Sequence, residues 1–139
     1  MKKTVLPLIL SVVLFACGNK KEIPDVSGIK VEIQAERFDR SLFLIDTNQI
    51  ETGLLRLRQQ HPGFYDDYMQ QILGVNGSVN DPATVVVTRE FIRGYTSIYD
   101  SLKPKYNNLA WLRKELQQAF KFVKYYFPQY KPGKLVVFV

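Results

Sequence analysis

One cysteine, one histidine and one tryptophan in 139 residues remove several kinds of chemistry at the outset. A single thiol, Cys17, can neither close a disulfide within the chain nor build a thiolate metal cage. A single imidazole, His61, cannot supply the two histidines, spaced around a glutamate, of a zinc-peptidase helix. It is expected to be structural or solvated, beside a helix end. No serine stands in a G-x-S-x-G turn and no glycine-rich phosphate loop occurs, so neither a catalytic constellation nor a cofactor or metal is expected. Long apolar runs are also missing. The stretch from Val5 to Ala16 has twelve residues, about 18 Å as a helix at ~1.5 Å per residue, well short of a bilayer core of roughly 30 Å.

That short stretch has another reading. Lys2 and Lys3 precede it and Leu14-Phe15-Ala16-Cys17 follows, which is the layout of a lipoprotein leader with cleavage before the cysteine. The small Ala16 admits the peptidase, although Phe15 is bulky for its place. The sulfur would carry a diacylglyceryl thioether, and the amine freed by cleavage could then be acylated. Two or three chains, each contributing ~0.8 kcal/mol per buried methylene, would hold the protein stably on a membrane. This reading accounts for both the position and the solitude of Cys17. Residues 1–16 are therefore expected to be leader, 17–28 a lipidated cysteine and tether, and 29–139 one domain. The polar segment from Gly18 to Gly28, with Pro24 within it, reaches at most roughly 36–40 Å.

With 46% hydrophobic and 13% aromatic residues, the remainder is globular and of a size for one core. Charge is uneven along it. Loss of Lys2 and Lys3 leaves 17 basic residues against 13 acidic, a net of +4. Residues 17–102 hold nine basic and twelve acidic side chains. Residues 103–134 hold Lys103, Lys105, Arg113, Lys114, Lys121, Lys124, Lys131 and Lys134 against Glu115 alone. That stretch is a candidate surface for an anionic partner such as lipid head groups, acidic polymers or an acidic protein; it could equally be a solvated helix face. Export argues against nucleic acid as the partner. The acids Glu36, Asp39 and Asp46, and the adjacent pair Asp66 and Asp67, read as surface or helix-start carboxylates.

Ile29, Val31 and Ile33 alternate with polar residues and predict a strand. A short helix or turn follows over Arg37 to Leu44, with Phe38, Leu42 and Ile45 on one face. Asn48 and Glu51 have the spacing of a capping box, and Ile50, Leu54 and Leu57 recur at helical period up to Pro62. Phe64 to Leu73 predicts a second short helix ended by Gly74. Asp81-Pro82 opens a helix to about Lys103, with Val85, Ile92, Tyr95, Tyr99 and Leu102 as its apolar stripe. Asn107 or Asn108 opens the most regular helix, with Leu109, Leu112, Leu116, Ala119, Val123 and Phe127 on one face until Pro128. Trp111, Phe120, Tyr125 and Tyr126 are core candidates. Leu135 to Val139 reads as a strand buried on both faces, paired in parallel with the first. The fold class is α+β, predominantly helical, with four to five helices. A strand this apolar at the end of the sequence predicts an incomplete domain, the N-terminal part of a longer one.

Ile23-Pro24-Asp25-Val26-Ser27, Glu36-Arg37-Phe38-Asp39-Arg40, Phe43 and Asp46, His61-Pro62-Gly63-Phe64-Tyr65, Gln71-Ile72-Leu73-Gly74 and Tyr125-Tyr126-Phe127-Pro128 together resemble the N-terminal portion of the GldB family of gliding motility lipoproteins of Bacteroidetes. The resemblance implies an envelope lipoprotein, lipidated at Cys17, that works with other gliding proteins and is linked to the type IX secretion apparatus. It also implies an alternative, that the chain opens a zinc-peptidase-like hydrolase whose active site lies beyond Val139. Gly18-Asn19-Lys20-Lys21-Glu22 lacks the acidic run that resembles a surface-export signal, so a domain facing the periplasm from the inner or outer membrane is expected. The oligomeric state is not legible.

Overall fold

The computed structural model describes residues 22–139, so the leader, Cys17 and the start of the tether lie outside the described residues. The order is β1 (Ala35–Arg37), α1 (Phe38–Phe43), α2 (Ile50–Gln60), α3 (Phe64–Asp67) running into a π-helical turn (Tyr68–Ile72), α4 (Pro82–Tyr106), α5 (Ala110–Tyr126) and β2 (Leu135–Val137). This is the expected α+β arrangement, mostly helical. The two strands pair in parallel, Ala35 with Leu135 and Arg37 with Val137.

The first strand lies later than its alternation suggested. Ile29, Val31 and Ile33 do turn inward while Lys30, Glu32 and Gln34 face out. Without a neighbour to ladder with, however, that segment makes no strand, and pairing begins only where Leu135 N–H reaches Gln34 O at 2.8 Å.

Helices α1 and α2 form the centre. Phe38 and Leu42, one turn apart, and Ile50, Leu54 and Leu57 are all buried, and Ile45 closes the gap between them. Gly53 lets the two helices approach, because a β-carbon there would collide with the Ile45 side chain. The capping box does not form. Asp46 Oδ1 accepts from Asn48 N–H at 2.9 Å, and Gln49 precedes the helix without a side-chain cap. The nearer carboxylate takes the turn first.

The chain then runs through α3 and the π-helical turn. Gly74, at φ +68°, ends this unit as expected, with Val75 N–H returning to Met69 O at 2.7 Å. Phe38 is the hub of an aromatic cluster, its ring 4.6 Å from Tyr68, 5.0 Å from Phe64 and 5.2 Å from His61, centre to centre.

Asp81 caps α4, its Oδ1 accepting from Ala83 N–H at 2.8 Å with Pro82 in the first turn. The buried stripe of this helix differs from the expected one. Thr84, Thr88, Ile92 and Tyr99 face inward, Val85 is half-buried, and Tyr95 and Leu102 remain exposed. The helix also runs past Pro104 to Tyr106, since a proline near the end forfeits only one backbone bond.

Strand β2 is half-buried rather than enclosed. Val136 packs against the core, while Val137 borders a groove of about 470 Å³ shared with Tyr99, Leu102, Leu109 and Leu112.

Candidate functional site

Helix α5 begins where Asn108 Oδ1 accepts from Ala110 N–H at 2.9 Å and ends at Tyr126, with Phe127 N–H bonded to Val123 O at 2.8 Å ahead of Pro128. Its amphipathic pattern is the most regular in the chain, yet it contains no buried residue. Leu112, Leu116 and Val123 are half-covered, and only Leu109, just before the helix, is buried.

Three of the four aromatics expected in the core are outside it. Trp111 is 53% exposed, Tyr126 62%, and Tyr125 is also exposed; Phe127, at the end of the expected apolar face, is 67% exposed. At about 100° per residue, Trp111, Phe122 and Tyr126 fall within roughly 60° of one another. On that side Trp111 and Tyr126 are exposed, while Phe122 between them is half-covered. The periodicity of the helix was read correctly, but a repeat reports a face and not what covers it. Phe120 is stacked on Tyr130 at 5.8 Å, which folds the turn after α5 back onto the helix, and Tyr125 meets Tyr126 edge to face at 5.0 Å.

The basic residues divide into two groups. Lys103 is paired with Asp100 Oδ1 at 2.6 Å and lies over the Tyr99 ring; Lys105 lies over Tyr106. Lys134 is held by Glu36. Arg113, Lys114, Lys121 and Lys124 are on α5, with Lys131 in the turn after it, and among the described residues none of these five has an acidic partner. Lys124 Nζ instead donates to the carbonyl of Lys30 at 3.4 Å, which brings the segment following the tether alongside α5.

A second polar group was not legible in the sequence. His61 closes α2 and is buried. Its Nε2 lies 3.0 Å from Ser41 Oγ and its Nδ1 3.5 Å from Glu36 Oε2. Hydrogen bonding to Lys134 above all holds the Glu36 carboxyl below its usual range. The group therefore connects the approach to β2, β1, α1 and the end of α2. A serine, a histidine and a carboxylate in this order could pass a proton, but acyl transfer also needs donors aimed at a developing oxyanion. Ser41 lies within α1, a helix of six residues. The trio joins these elements through side-chain contacts.

Nor are the neighbouring acids free. Asp39 is buried and receives Arg37 Nε at 2.8 Å, and this pairing raises the guanidinium further. Arg37 and Arg40 also donate to the carbonyl of Asn107, at 3.2 and 2.8 Å, which places two cations at the negative end of α4. Among the described residues no group of three or more His, Cys, Asp or Glu side chains converges to hold a metal ion, and no helix is long and apolar enough to cross a membrane.

No curated protein and no solved structure matches the chain. The family model described as gliding motility protein GldB matches residues 19–139, nearly all of the sequence and all the elements described above, and the chain therefore belongs to the GldB family of gliding motility lipoproteins.

Proposed function

We propose that the protein is a non-enzymatic interaction or assembly component of the gliding and type IX secretion machinery, held to the inner or outer membrane by lipid on Cys17 and facing the periplasm, and that α5 is its docking surface. One observation carries this reading: the most amphipathic helix of the fold is the one with no buried residue, and it combines exposed aromatics with unpaired cations. Each such aromatic side chain would bury on the order of 150–250 Å² if covered, so contact with a partner would remove a large exposed apolar area. Exposed apolar patches rimmed by polar residues mark interaction sites in soluble domains. The membership in a gliding lipoprotein family supports the cellular setting.

The test is charge reversal at Lys114, Lys121 and Lys131 in the full chain. Loss of spreading on agar, with the protein still folded and at normal abundance, is the expected outcome. Unchanged motility would refute the docking surface. Replacing Cys17 by serine should separately release the protein from the membrane fraction, and retention there would refute the lipid anchor.

A further inference from the structure

We propose that the partner of α5 is an anionic phospholipid surface, with Trp111, Tyr125, Tyr126 and Phe127 entering the headgroup region and Lys114, Lys121 and Lys131 reaching the lipid phosphates. This rests on the reading of α5 as a docking surface and names what it docks to.

Three observations favour lipid over a protein groove. The first is the kind of aromatic: Trp and Tyr have an apolar ring and a polar tip, and collect at the boundary between hydrocarbon and water. On α5 and the residue after it, Trp111, Tyr125, Tyr126 and Phe127 are exposed together. The second is the kind of cation. Protein interfaces are enriched in Arg and depleted in Lys, whereas here lysines 114, 121, 124 and 131 outnumber Arg113. Flexible lysine stems suit a fluid array of phosphates, since they extend along an apolar face while the ammonium reaches out. The third is position. The Lys124 contact with Lys30 brings the chain just after the tether beside α5. From Cys17 to Lys30 the chain spans at most roughly 45 Å, so a membrane holding the anchor is within reach of the helix. Lipid on Cys17 and a basic amphipathic helix would then be two signals acting on one surface.

Trp111 is the only tryptophan in the chain, so its fluorescence reports this face alone. The full chain, reconstituted into phosphatidylcholine vesicles with and without phosphatidylglycerol, supplies the test. With phosphatidylglycerol the emission should shift to the blue and be quenched by brominated lipid, and high salt should reverse both effects. Each lysine near the surface adds roughly fivefold to partitioning, so reversing Lys114, Lys121 and Lys131 together should weaken insertion by more than about a hundredfold. Emission from Trp111 that stays water-like in anionic vesicles, or insertion equally deep in neutral ones, would overturn the proposal. If Trp111 stays in water while the charge-reversed strain still fails to glide, lipid is the wrong partner and the docking surface stands. Insertion of the unaltered chain together with normal gliding of the charge-reversed strain would leave lipid binding standing and refute α5 as the surface that serves movement.

Discussion

Replacing Thr88 by valine should stabilise the protein, although it removes a polar atom from a helix. Thr88 and Thr84 face inward from α4, fully buried, and neither Oγ1 has a hydrogen-bond partner. A hydroxyl buried without a partner costs on the order of 1–3 kcal/mol in lost hydration. Valine fills nearly the same volume, keeps the β-branch and its restricted rotamer, and has a similar helix propensity. The expected net gain is about 1–2 kcal/mol. With a urea slope of about 1–3 kcal/mol per molar for a domain of this size, the midpoint followed by far-ultraviolet circular dichroism should rise by roughly 0.3–2 M with an unchanged slope. Thr88 is the cleaner of the two sites, because Gly77 lies close against Thr84 Oγ1. A lower midpoint for Thr88→Val would show that the hydroxyl is satisfied, by a buried water or by a helix carbonyl, and would refute the reasoning.

Phe38→Ala removes the hub of the aromatic cluster from a fully buried position, and a loss of about 3–5 kcal/mol is expected in the same titration; a loss under ~1 kcal/mol would mean the cluster is not the core. The Glu36 carboxyl titrates below its free value of 4.5 in the folded chain, so its contribution is full above that pH and disappears as the pH falls through the lower folded value. Glu36→Gln should therefore flatten part of the acid limb of a stability-versus-pH curve, and an unchanged limb would count against the Lys134 and His61 contacts. Gly74→Ala forces a side chain into a left-handed conformation at φ +68° and should cost about 1–2 kcal/mol by thermal unfolding. Gly53→Ala should cost about 1–3 kcal/mol through overpacking against Ile45, with Ile45→Val restoring part of the loss.

Local signals were legible where one element decided its own conformation. The spacing of Ile50, Leu54 and Leu57 gave α2, Asp81-Pro82 gave the start of α4, and Gly74 gave the end of the π-helical turn. The sequence misled where two residues compete or where tertiary context decides. Asp46 took the turn that Asn48 and Glu51 were expected to cap. Thr84 and Thr88 lie outside the expected apolar stripe yet are buried, because burial of a hydroxyl depends on what surrounds it. Tyr95 and Leu102 repeat at the right period on a helix longer than the core it covers. The contacts among Glu36, Ser41 and His61 join residues 20 and 25 positions apart, which no local pattern announces. On α5 the cations and aromatics were legible and their exposure was not, since a helical repeat is the same whether its face is covered or bare.

The parallel pairing of Ala35 with Leu135 has a consequence for the order of folding. Bringing together strands a hundred positions apart costs about 4 kcal/mol of closure entropy, and neither can pair until the last of that stretch has been synthesised. Until both ends of that stretch are present the helical segments can settle while the early strand waits alone. Its three-residue length then serves as protection, because so short an edge offers a passing chain little on which to begin an aggregate.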